Sequence, residues 1–402
     1  MIAKVILPAL VAIGSVSAQS ATCTVVTTTI NSQADATGLA GCKTVRGSVL
    51  IAPQTGATID ISGPSTITGD LTLLDNGEIQ SFRADDLTTV GGTWEMKNVT
   101  ALSSLIFPSI TKVKALDWQT LNALDTLTFT SGLTQAEEVT ISDTFLSTLT
   151  GIDLTTTKKM RIDNNRRLTS FTTQLRDLSD ELRIQANGQR LEVNMPNLTW
   201  IANMIIANVT KFSAPSLATV NNSAKFDFNY FSDFAAPNLT RTQSGDISFV
   251  GNANLKNISM PRLTTIAGGL LIANNTALLN LDGLPALKTI GGAVKLRGSF
   301  DDVSFPALND VKGAFDLSST GDIENSCTDL KKIASSKDGG SGKIQGTFSC
   351  TSNNANANSD TSSTTGTGGG SSKPKDDAAA GLSFNMVLLG FAGLAGLAQA
   401  LL

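Results

Sequence analysis

The 402-residue chain contains no histidine, one tyrosine and only four cysteines. Without histidine there is no Ser-His-Asp relay and no imidazole to ligate zinc. Charged residues make up 16% of the chain and the net charge is −4, so no basic field exists to hold nucleic acid. No glycine-rich phosphate loop of the P-loop form occurs, and no cofactor is expected. Solubility must rest on Ser, Thr, Asn and attached sugar.

Long uncharged apolar runs are confined to the two ends, and both read as processing signals. Residues 1–18, MIAKVILPALVAIGSVSA, combine Lys4, an apolar stretch over 5–13 and small residues at Val16 and Ala18, which predicts a signal peptide cut after Ala18. Residues 381–402 carry no charge, and upstream lie small residues and a polar spacer, the order of a GPI attachment signal. Gly370, followed by Ser371 and Ser372, is the expected attachment residue; Asp377, followed by Ala378 and Ala379, is the second choice, and 378–402 form the tail removed on maturation. An ordinary transmembrane anchor is the alternative. Between 351 and 377 the chain is rich in Ser, Thr and Gly and offers nothing to build a core, so it reads as a stalk. The folded ectodomain is then 19–350.

A secreted chain meets an oxidising, glycosylating compartment. Asn-x-Ser/Thr acceptors occur at Asn98, Asn197, Asn208, Asn221, Asn238, Asn257 and Asn274. The cysteines form two local pairs at opposite ends of the ectodomain, Cys23 with Cys42 and Cys327 with Cys350, and local disulfide pairing is the expected connectivity.

The body of the chain is repetitive. Leu87, Ile110, Leu133, Leu154, Leu175, Leu198, Leu217, Leu239, Leu263, Leu287 and Leu308 recur at steps of 19 to 24 residues, with a mean near 22. An apolar-polar-apolar triplet follows six or seven residues later, as in Trp94-Glu95-Met96, Met160-Arg161-Ile162, Leu182-Arg183-Ile184 and Phe226-Asp227-Phe228. Such alternation is a strand with one buried face; no unit carries the longer i, i+3, i+4, i+7 pattern of a helix. Proline two residues before many markers belongs at a bend. Gly-Gly pairs at 91–92, 268–269 and 291–292 supply φ freedom for a corner. Asn76, Asn165, Asn187, Asn252 and Asn275, five residues after the strand start, suit a left-handed turn. One unit cannot bury its own apolar residues, but stacked units can. The expected fold is an all-β parallel solenoid of about twelve coils, its ends closed by the two disulfides.

The Leu-x-x-Ile-Gly-Gly-x-Leu-x-Ile-x-x-Asn unit resembles the repeat of receptor L domains, the ligand-binding solenoids of insulin and epidermal growth factor receptors. With the signal peptide, GCKTVRGSVLIA at 41–52, GKIQGTFSC at 342–350, the stalk and the GPI tail, the chain is similar over nearly its full length to the fungal GPI-anchored cell-wall organisation (extracellular-mutant) family. The resemblance implies a cell-surface and wall protein needed for wall integrity, whose biochemical activity the family does not define. Units 133–184 depart from the pattern by lacking the Gly-Gly corner.

Outward strand positions are expected to carry Glu95, Asp117, Thr140, Arg161, Arg183, Ile205, Asp227, Ser248, Leu271, Lys295 and Asp316 in successive coils. Only Glu95 and Asp117 place carboxylates on neighbouring strands, and glycoside hydrolysis needs such a pair about a sugar. A charged, solvated row accounts for them better, and Asp85-Asp86, Glu137-Glu138, Asp301-Asp302 and Asp376-Asp377 read as solvated turns or stalk rather than as acid/base dyads or calcium sites; a non-enzyme is expected. The alternative to a purely structural role is a binding module. Arg161 and Arg183, adjacent at the middle of the ribbon and flanked by glycans, are the candidate face for wall glucan, chitin or another surface protein, with the membrane engaged through the GPI lipid.

Overall fold

The computed structural model describes residues 23–358, and these wind as a parallel β-solenoid of about 13 turns. The expected count was about twelve. The markers omit the coils before Leu87, and a final rung, Phe348–Thr351, closes the other end. Every pairing is parallel, and 21 strands join in one sheet. The first rung, Thr24–Ile30, pairs with Thr44–Ile51, and the register passes on to Leu71–Leu74, Thr89–Lys97, Lys112–Leu121, Glu138–Thr144, Thr156–Asp163, Asp177–Gln185 and Trp200–Ala207. Ala224–Asp227, Ile247–Val250, Leu270–Ala273, Val294–Gly298 and Phe315–Ser319 continue it. Short strands such as Ser170–Thr172, Glu192–Asn194 and Lys211–Ser213 make a second, interrupted face.

The core is one continuous column. All the repeat markers, from Leu87 to Leu308, are buried, as are the inward strand residues. Their alternation with polar neighbours is what the pleat demands when one face packs inward. The marker closes a β-turn opened by the residue before proline: the N–H of Ile110, Leu198, Leu239 and Leu263 donates to the carbonyl three residues back. Proline thus sits at the second turn position, where its fixed φ costs nothing and its missing donor is not needed.

Two expectations about special residues need correction. None of the Gly-Gly pairs has a positive φ. Those glycines answer close stacking instead: a Cβ on Gly291 would lie 2.1 Å from the Ala267 oxygen, and one on Gly313 would lie within 2.7 Å of Ala293 backbone. The recurrent asparagines, in turn, are not the left-handed residues. That conformation falls one position earlier, on Asp75, Asn164, Ala186, Gly251 and Asn274. The asparagines are buried and form ladders between coils. Asn252 Nδ2 donates to the Phe226 carbonyl at 2.8 Å, its Oδ1 accepts from the Asn229 N–H, and its own N–H donates to Asn275 Oδ1 at 2.9 Å. Asn229 belongs to this ladder too.

The ends are closed as the cysteine spacing implies, by Cys23–Cys42 and Cys327–Cys350. Each closure also uses a short helix that the strand pattern did not reveal. Gln33–Thr37 is capped by Ser32 Oγ, and Glu324–Lys331 carries Cys327. Coil contacts also continue past 350. Asn354 Nδ2 donates to Ser318 Oγ, Asn358 Nδ2 donates to Ser299 Oγ and Ala357 is buried, so residues 351–358 cover the last coil through hydrogen bonds that a composition reading cannot see. The expected signal peptide, Gly370, Asp377 and the tail lie outside the described residues.

Candidate binding face

The outward face of the main sheet is a set of rows running across the coils. One row reads Glu95, Asp117, Thr140, Arg161, Arg183, Ile205, Lys225, Ser248, Leu271, Lys295 and Asp316, each in register with the next. Lys225 stands where Asp227 was expected. The strand there is Ala224–Asp227, so the correct triplet is Ala224-Lys225-Phe226. Asp227 moves to the neighbouring row beside Ala207 and Val250, and Phe228 falls off the strand end, 47% exposed.

Arg161 and Arg183 are cross-strand neighbours, as expected, but neither is a free cation. Arg161 Nε lies 2.5 Å from Glu181 Oε2, and Arg183 Nε donates to Asp163 Oδ2 at 2.9 Å. Two like charges side by side are each offset by a carboxylate, one in the row before and one in the row after. Burial pushes the Asp163 carboxyl above its ordinary value, and the Arg183 bond only partly counters that rise. The hydrogen bond to Asp163 holds the Arg183 guanidinium above its usual range. The result is a charge-compensated lattice with the guanidiniums about 30% exposed, shaped to present planar donors without a net field.

Glu95 and Asp117 are also adjacent, and Lys97 Nζ grips both, at 2.6 and 2.7 Å. The hydrogen bonds to Asp117 and then to Glu95 raise the Lys97 ammonium. Shared neutralisation on an open sheet face differs from the paired roles hydrolysis needs, one carboxyl held protonated in an apolar pocket and the other ionised. Among the described residues the other acidic pairs are equally occupied with local structure: Asp85 bonds Arg83, Glu137 bonds Lys158 and Asp302 accepts from Ser326; Asp376-Asp377 lies outside them. Among the described residues no cluster of Cys, Asp and Glu would hold a metal ion. A shallow groove of ≈ 790 Å³ flanks the face at the corner, where Gly91, Lys112, Lys114 and Glu137 meet Thr134 and Thr155.

The pattern reading named Asp227 only as an outward position and gave it no role. Its carboxylate is half-buried beside Lys225, and desolvation pushes it up to about 6.

The seven acceptor asparagines are all reachable, and none lies in an outward row. Asn98, Asn208 and Asn274 take the left-handed position after the strand, with φ of 55°, 62° and 58°. Asn197 and Asn238 follow the turn prolines, Asn221 sits at the sheet corner, and Asn257 opens a short strand of the second face.

A stack of parallel coils with a charge-paired sheet face defines a repeat scaffold. Known proteins are similar to the chain in sequence. Residues 1–40 match the family described as Ecm33, GPI-anchored cell wall organization protein. The chain is 38% identical to Protein ecm33 of Aspergillus fumigatus over 86% of its own length and 85% of the relative's. It is 34% identical to a cell surface GPI-anchored protein of Arthroderma benhamiae, covering 73% of the chain and 75% of the relative, and 33% identical to sporulation-specific protein 2 of Saccharomyces cerevisiae, covering 78% and 62%. The chain belongs to the Ecm33 family. No solved structure matches it.

Proposed function

We propose that this chain is a GPI-anchored glycoprotein that supports fungal cell-wall organisation from the outer face of the plasma membrane or from the wall, without catalysing a reaction. The observation that carries this reading is similarity to the Aspergillus fumigatus protein along 86% of the chain. The solenoid supports it physically, because Glu95 and Asp117 are committed to Lys97, Asp85 to Arg83 and Glu137 to Lys158. The signal peptide at 1–18, the attachment at Gly370 or Asp377 and the seven acceptor asparagines complete the reading. Deleting 378–402 in a fungal host tests it: the protein is expected in the medium, with loss of wall-stress tolerance, and retention at the surface would overturn the anchor. A glucan- or chitin-remodelling activity in purified ectodomain, abolished by Glu95→Gln, would overturn the non-catalytic part.

The adjacency of Arg161 and Arg183 favours a second role, recognition of wall glucan, chitin or another surface protein by the sheet face. Alanine at both positions is expected to lower wall-stress tolerance, and unchanged tolerance removes these residues from the function.

A further inference from the structure

Few large apolar side chains are exposed among the described residues, and two of them, Phe228 and Tyr230, stand two residues apart. Phe228 has φ 52°, in a column whose other non-glycine members are Asp, Asn, Thr and Ala. A bulky residue in the left-handed region is an outlier that persists only if something offsets the strain.

The register says what faces these rings. Asp227, Val250 and Ala273 are aligned, so Phe228, Gly251 and Asn274 follow one another up the next column. The buried ladder of Asn229, Asn252 and Asn275 comes next, and beyond it Tyr230, Ala253 and Thr276 make a parallel column, with Thr276 Oγ1 donating to the Ala253 carbonyl. Phe228 and Tyr230 therefore stand one coil before Gly251 and Ala253, a ledge of small residues, and two coils before the Asn274-x-Thr276 acceptor. The Phe228 ring leans over that ledge: a Cβ on Gly251 would lie 2.6 Å from two of its carbons. Coils rise about 4.8 Å each, so the ledge is about one sugar ring wide. Asn98 and Asn208 donate their side-chain amides to Asp75 and to the Phe228 carbonyl, whereas the Asn274 side chain has no hydrogen-bond partner among the described residues.

We propose that the ledge seats the innermost N-acetylglucosamine of a glycan on Asn274, with Phe228 and Tyr230 packed against the sugar's C–H face. The negative face of an aromatic ring attracts such polarised C–H groups, and the contact removes apolar surface of both partners from water. This inference rests on the reading of Asn274 as a glycan acceptor. It adds that this glycan is part of the folded surface, held along the edge of the sheet.

The test uses the full chain secreted from a fungal host, with site-resolved glycopeptide mass spectrometry. Enzymatic release of the native protein's glycans by a peptide N-glycosidase is expected to be slow at Asn274, and Phe228→Gly is expected to speed it about fivefold there, equivalent to about 1 kcal/mol, leaving Asn257 unchanged. Glycine is at ease at that φ, so the variant keeps its fold; Phe228→Trp should preserve slow release. An unoccupied Asn274 overturns the acceptor reading itself. Full occupancy with release unaffected by Phe228→Gly overturns the platform alone. Loss of binding to an added β-glucan or chitin oligosaccharide in Phe228→Gly, with Asn274 release unchanged, also overturns it, since the rings would then serve an outside sugar.

Discussion

The central coils, 112–207, and the later coils, 219–319, solve the same corner differently. In the later coils a spine of glycines, Gly245, Gly268, Gly292 and Gly313, stacks N–H to carbonyl, and the strand breaks into two pieces such as Thr265–Ile266 and Leu270–Ala273. In the central coils Lys114, Glu137 and Lys158 occupy that column, and single strands such as Lys112–Leu121 run through it. Where the backbone lies flat on the coil behind, no Cβ fits; where the corner opens outward, side chains of alternating charge line it, Lys158 Nζ reaching Glu137 at 2.6 Å. A sequence departure from the glycine pattern is thus a different corner in the same fold.

That comparison is best broken at its most buried point. Asn252→Ala should strip partners from the Phe226 carbonyl and the Asn229 N–H in the later coils, costing about 3–4 kcal/mol in a denaturant melt, since each orphaned buried group costs about 1–3 kcal/mol. A loss below about 1 kcal/mol would mean that the ladder is decoration.

Next in size is the corner itself. Gly291→Ala should destabilise by about 2 kcal/mol because its Cβ meets the Ala267 oxygen, while Lys158→Ala, which removes one exposed, solvent-screened ion pair, should leave the melt unchanged. Equal losses in the two variants would erase the distinction between the regions.

The smallest effect is pH-dependent. Asp227 titrates at about 6 in the folded chain against an ordinary 3.8, so the folded state holds that proton more tightly than the unfolded one. Its contribution is complete below about pH 4 and is lost as pH rises through about 6. Asp227→Asn should therefore stabilise the protein at pH 7 by about 1 kcal/mol, after discounting for the hydration a half-buried carboxylate keeps, and the gain should vanish near pH 4. Thermal melts at both values check the sign.

Much of this architecture is legible in the sequence because stacking demands repetition. The Leu markers, the inward triplets and the two cysteine pairs all serve a core that no single coil can build. Register was less legible. The unit between Leu198 and Leu217 is only 19 residues long, and both Ala224-Lys225-Phe226 and Phe226-Asp227-Phe228 alternate apolar and polar. Only the pairing of Phe226 with Ile206 separates them. The correct start also places Asn229 at the fifth position after it, so one slip of two residues hid a ladder member and an exposed aromatic and set Asp227 in the wrong row. Of the candidate face, the adjacency of Arg161 and Arg183 was readable, but their neutralisation was not. Glu181 and Asp163 are 20 residues away in the chain from the arginines they bind.

By itself the sequence determined the period, the class of fold, the residues that fill the interior and the bonds that seal its ends, because each follows from local alternation and from apolar area that must be hidden. Tertiary structure alone decided which coil residue stands beside which, why the corner glycines are glycine, and which charges cancel. Those depend on contact between segments about twenty residues apart, where a shift of two positions leaves the local pattern intact and changes every neighbour across the stack.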